Sequence, residues 1–181
     1  MITKEDFEKI GVVAKHCDSQ KLDIAVQEAI DFDMSSLFCE NWEFLKEIML
    51  KEDKSEDELL LVVGGGYVGC GGKSKNNFGL NRTLAYYSYS RYVILNGFND
   101  TPNGMVSKSN DFSIPKSMKE LELFADRYKN MGYQSFLSVM DFLCSNKEKF
   151  TNFKAGKCKN CGCVSGCENK TSSIKSKIIT K

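Results

Sequence analysis

The chain has 181 residues, 41% of them apolar and 27% charged, with 25 Lys plus Arg against 24 Asp plus Glu. That balance suits one soluble domain with an appendage, long enough to bury a core. The longest aliphatic run, Leu59 to Val63, falls far short of the ~20 residues of a spanning helix. The charged start from Met1 to Lys9 predicts no secretory signal, and the single histidine, His16, removes multi-histidine metal sites.

In chain order, a short helix is predicted over residues 3–9, with Thr3 as N-cap and Asp6 at its third position. Asp18 or Ser19 opens a second helix that places Leu22, Val26, Ala29, Ile30 and Asp33 on one face. A turn from Met34 to Phe38 leads to a third helix near Asn41, with Trp42, Leu45, Ile48 and Met49 as its buried stripe. The charge run from Lys51 to Glu58 reads as a surface connection. Seven glycines between Gly64 and Gly79 predict a stretch that cannot stay regular for long. A long helix follows from about Phe78 to Asn96, closed by Gly97 in a left-handed cap. Leu80, Leu84, Tyr87, Ile94 and Leu95 form one face, and Tyr86, Tyr89, Tyr92 and Val93 make the rest nearly as apolar. Such a helix belongs inside a bundle or at an oligomer interface.

Residues 100–115 break the helical period with turn chemistry and alternation, so a small hairpin or extended arm is expected there. From Ser117 to about Asn146 the helical spacing returns, with Ala125, Gly132 and Ser135 as small residues that admit a close neighbour. After Phe150 the periodicity fades. The expected fold is mostly α: about five helices in a bundle with a small β arm over residues 1–150, then a basic, Cys-rich tail over 151–181.

Charge is unevenly spread. Residues 1–60 carry 7 basic and 16 acidic side chains, whereas residues 147–181 carry 9 and 2. A solvated acidic face with a lysine-rich tail would explain this, as would head-to-tail subunit contact or a tail that meets a polyanion.

Two nucleotide motifs fail on inspection. Gly64, Gly66 and Gly69 fit G-x-G-x-x-G, but no helix-forming run follows and residues 83–99 hold no Asp or Glu to take a ribose. Gly72-Lys73-Ser74 resembles the end of a phosphate loop, yet its first glycine would fall on Tyr67. Cys17, Cys39, Cys70 and Cys144 are scattered and read as small apolar packers. With a single histidine, thiol catalysis lacks a base, and the chain is not expected to be an enzyme. Cys158, Cys161, Cys163 and Cys167 lie within ten residues. They are read as ligands of one structural zinc, against free or oxidised thiols in a flexible tail.

The string from Phe78 to Gly97, above all Ala85-Tyr86-Tyr87-Ser88-Tyr89-Ser90-Arg91-Tyr92, resembles the head–tail connector (adaptor or head-completion) proteins of tailed bacteriophages. The likeness is to the version found in phages of gut Bacteroidales, including crAss-like phages. The arm Thr101-Pro102-Asn103-Gly104-Met105-Val106-Ser107-Lys108 is its second carrier. The resemblance implies a virion structural subunit in the neck, assembled in the host cytoplasm and away from membranes. Such subunits form a ring beneath the portal, twelve-fold to match it, which extends the DNA channel and docks further neck or tail proteins. It implies assembly contacts through Thr101, Pro102, Asn103, Gly104, Met105, Val106 and Lys108, together with Tyr89, Arg91 and Tyr92. The Cys-rich tail lies outside the resemblance. The reading from another class is a small nucleic-acid-binding module with a C-terminal zinc knuckle.

Overall fold

The computed structural model describes residues 2, 4–10, 18–69, 72–102, 104–107 and 117–155. The chain is mostly helical. Its helices run α1 (Lys4–Glu8), α2 (Ser19–Glu28), α3 (Ser35–Phe38), α4 (Trp42–Leu50), α5 (Glu56–Val63), α6 (Leu80–Asn96) and α7 (Met118–Ser145). Two antiparallel hairpins interrupt them: β1 (Gly65–Val68) with β2 (Ser74–Asn77), and β3 (Phe98–Thr101) with β4 (Gly104–Ser107). Asp18 caps α2 by accepting from the Lys21 N–H at 3.2 Å. Ser55 and Ser117 open α5 and α7 with reciprocal capping boxes to Glu58 and Glu120. Each such box satisfies two orphan helix-terminal donors.

The central element is α6, which buries Leu80, Leu84, Tyr86, Tyr87 and Tyr92. It faces two clusters. One joins Met34, Phe38, Leu45, Leu61, Leu84, Phe136 and Leu143; the other joins Phe7, Leu22, Ala25, Ala85, Tyr86 and Tyr92. The all-round apolar character of α6 is therefore spent within the bundle. Trp42, Leu45, Ile48 and Met49 are all buried, as their spacing predicts.

Along the α6–α7 seam, a Cβ on Gly132 would stand 2.8 Å from the Tyr87 ring and 3.3 Å from the Tyr86 Cβ. Thr83 and Ser135 share a hydroxyl–hydroxyl bond of 2.8 Å, and Ser90 donates to the Ala125 carbonyl at 2.8 Å. Small residues let the backbones approach, and these bonds satisfy the buried hydroxyls at the seam. Burial, with the Asp33 charge nearby, pushes the Tyr87 phenol up to about 12.

Several expectations are corrected. Met34 to Phe38 is helical rather than a turn, because Ala29–Met34 forms a π-helical turn that runs on into α3. Leu59 to Val63 ends a helix, and the glycine-rich stretch after it is the β1–β2 hairpin, so the dinucleotide fingerprint lacks its leading strand. Gly97 has φ −68°, not a left-handed cap; a Cβ there would meet the tip of the Leu121 side chain at 2.5 Å, which would have to move aside. Beyond residue 150 the chain still packs: Phe150 and Phe153 are buried in the larger cluster. Asn41, 1% exposed, holds them by donating to the Lys154 carbonyl at 3.2 Å and accepting its N–H at 2.8 Å. Cys39 and Cys144 are disulfide-bonded, not free thiols. Cys39 stands exposed at φ 48° and Cys144 is only half-buried, so neither has the enclosure of a core thiol.

The β1–β2 hairpin is pinned to α7. Tyr67 stacks edge-on to Phe142 at 5.0 Å and donates its hydroxyl to Asp141, which also receives Lys75 at 2.7 Å. Burial pushes the Asp141 carboxyl up, but the bonds from Lys75 and Tyr67 outweigh it and hold the group below the usual carboxylate range. The folded value being depressed, this contact stabilises the protein above the unfolded carboxylate value of about 3.9 and is lost as pH falls through the lower folded value. The Lys75 and Asp141 side chains are 36% and 45% exposed, so solvent screening limits the loss in Asp141→Asn to about 1 kcal/mol. Urea unfolding is expected to separate Asp141→Asn from wild type at pH 7 and to show a narrower gap at pH 3. An equal gap at both values would rule the contact out.

Candidate assembly surface

The arm begins where α6 ends. Register pairs Phe98 with Ser107 and Thr101 with Gly104, leaving Pro102 and residue 103 as a two-residue loop. Lys21 fixes its base, donating to the Leu95 carbonyl at 2.9 Å and to the Phe98 carbonyl. A cation is favoured there, among carbonyls at a helix C-terminus. The first turns of α7 expose Met118 (47%), Leu123 (62%) and Phe124 (50%).

Of the residues predicted for assembly, Thr101, Gly104, Met105 and Val106 lie on the hairpin strands and Pro102 is exposed at its turn. Asn103 and Lys108 lie outside the described residues, as do Cys158, Cys161, Cys163 and Cys167. The other three work inside the subunit. Tyr92 is buried and its hydroxyl accepts the Asp18 N–H at 3.3 Å; Tyr89 meets the Tyr128 ring at 4.6 Å.

Arg91 bonds Asp33 at 2.6 Å and Glu28 at 3.0 Å, which clamps α2 to α6. Its hydrogen bond to Asp33 raises the guanidinium pKa further. The π turn makes this clamp. Five residues apart, Glu28 and Asp33 would stand about 140° apart around an α-helix. A turn with i→i+5 bonding returns residues at that spacing to one side, and Ser35 N–H does bond the Ile30 carbonyl.

A second feature, which the sequence reading did not single out, lies at the opposite end of α6. Arg82 sits over the Phe78 ring at 5.1 Å and the Tyr86 ring at 5.7 Å, and donates to the Tyr86 hydroxyl at 3.2 Å. The four-residue spacing from Arg82 to Tyr86 was a readable signal, because such residues are neighbours on one helix face; Phe78 lies before α6 begins.

Among the described residues there is no group of His, Cys, Asp and Glu that could hold a metal ion. Nor is any described helix long and apolar enough to cross a membrane. What the geometry defines is a helical bundle with a two-stranded β-hairpin at the end of α6 and exposed apolar side chains on the first turns of α7. Residues 41–163 match a family of unknown function (DUF6712), and the chain belongs to that family. No curated protein and no solved structure matches the chain.

Proposed function

We propose that the chain is a virion structural protein, a head–tail connector subunit that forms a closed ring beneath a phage portal, extends the DNA channel and offers a docking face to later neck or tail proteins. The observation that carries this reading is the arm. A lone two-stranded hairpin is marginal in water, and both outer edges of β3–β4 are left without a third strand among the described residues. Edges of that kind take a strand from another chain. Met118, Leu123 and Phe124, exposed on the first turns of α7, supply apolar area that a neighbour covers. The resemblance of the tyrosine-rich helix and the arm to connector proteins names the setting, and the acidic front suits heterologous contacts that close around an axis.

The chain, mixed with the portal protein of its own phage, is expected to add a ring visible by electron microscopy. Deleting residues 101–110 should leave far-ultraviolet circular dichroism and melting unchanged while abolishing the ring, because the deleted segment is turn-rich. Portal particles that stay bare with the intact chain would refute the proposal. A complete ring built from the deletion variant would refute the role of the arm.

A further inference from the structure

We propose that Arg82 is the docking point for the acidic α4–α5 connection of the next copy of this chain; this rests on the ring reading above. Arg82 is exposed, yet its guanidinium is held over the rings of Phe78 and Tyr86. Of its five N–H donors, those on Nε and one Nη turn to the Tyr86 hydroxyl, and among the described residues no carboxylate pairs with it. A planar, pre-oriented guanidinium with spare donors is suited to a carboxylate. Around it lies a groove of about 400 Å³ with Asn130 and Gln134 on its wall, joined at Phe78 to a second of about 280 Å³. Arg82 lines both grooves, and in the second Lys9 is engaged by Asp6 at 3.1 Å. One open cation beside that internally paired couple fits an acidic peptide segment. A nucleic-acid strand would need a row of cations.

The chain carries a matching segment. In the connection and first turn of α5, Lys51 takes Glu58 at 2.8 Å and Lys149 takes Asp57 at 2.7 Å. Glu52, Asp53 and Glu56 are exposed and form no ion pair among the described residues. They stand at the N-terminal end of α5, whereas its C-terminal end at Val63 and Gly64 abuts Gly79, just before Arg82. Helix α5, 8 residues and about 12 Å long, separates acid from arginine within one subunit. Between neighbouring subunits the same two patches can meet head to tail. The outward side of α5 between them exposes Leu59 (48%) and Val63 (58%), apolar area that such a contact covers.

The test uses Arg82→Glu and a Glu52→Lys/Asp53→Lys/Glu56→Lys variant, with ring assembly on the portal followed by sedimentation and electron microscopy. Each variant alone is expected to assemble at least about tenfold more weakly, since like charges face each other across the contact. Mixing the two should restore rings, because wild-type and fully reversed contacts then alternate; this rescue also proves that both variants are folded. If Arg82→Glu assembles like wild type, the docking contact is wrong while the ring stands. If the wild-type chain never assembles, the ring and the contact fall together. If Arg82→Glu fails, the lysine variant assembles normally and mixing rescues nothing, the occupant is not this segment. Loss of binding to a thymidine oligonucleotide in Arg82→Glu would then assign the groove to single-stranded DNA.

Discussion

Gly132→Leu is expected to lower the melting temperature by roughly 5–10 °C, since overpacking costs about 1–3 kcal/mol and each kcal/mol shifts a domain of this size by about 2–4 °C. The site leaves no room for relaxation on either side. A bare Cβ already meets two Tyr87 ring atoms below 3.0 Å, and that ring is buried in the larger core. The side chain would have to push α7 away from α6, taking the Thr83–Ser135 bond with it. Leu137→Met is the matched control: Leu137 is 38% exposed on the same helix, so a near-isosteric swap should leave melting within a degree or two. Coincident melting of the two variants would mean that Gly132 is not at a close crossing.

The second large effect is expected at Gly79, where the β1–β2 hairpin hands over to α6. Its φ of 85° with ψ of 156° belongs to a region that is essentially glycine-only and costs other residues about 1–3 kcal/mol. A Cβ there would also stand 2.6 Å from the Gly64 nitrogen and from the Val63 carbonyl carbon, backbone atoms that cannot swing aside. Asn77 tightens the same knot, donating to the Leu60 carbonyl at 2.7 Å and accepting the Gly79 N–H at 3.0 Å. Gly79→Ala should therefore lose about 3–5 kcal/mol, strain and clash together. Gly72→Ala separates the two causes. Gly72 has φ 73° but nothing within 4 Å of an added Cβ, so only the backbone strain of about 1–2 kcal/mol remains. Denaturant titration of both variants measures the difference; equal losses would remove the clash from the account.

What was legible in the sequence followed from periodicity and turn chemistry. The stripe from Trp42 to Met49, the Asp18 cap and the small residues of α7 each obey a local rule, and the structure places them as that rule demands. The arm was legible because Pro102 and Gly104 mark a turn between alternating residues. The β1–β2 hairpin was not: Ser74-Lys75-Asn76-Asn77 has no apolar alternation, and its pairing is held by Asp141 and Asn77, contacts made far along the chain or by one buried amide. Phe150 and Phe153 carry no period that a helix or strand would show, yet Asn41 fastens them from 113 residues away. The contacts that Tyr89, Arg91 and Tyr92 make inside the subunit were not legible, because composition does not say which side of a helix is already occupied by α2.

The π turn between α2 and α3 makes the phase of the polypeptide matter. It acts as a single-residue offset: the same residues wound as a regular α-helix would turn Asp33 about 140° from Glu28 and away from Arg91, whereas removing one residue between them would leave the two acids four apart on one face. The winding here is thus tied to the identity of a residue some sixty positions downstream. The family match starts at residue 41, after this offset, while Arg91 lies within it. The matched segment thus holds Arg91 without Glu28 and Asp33, the two carboxylates that Arg91 pairs with. The boundary of the family match and the boundary of the packed core do not coincide in this protein.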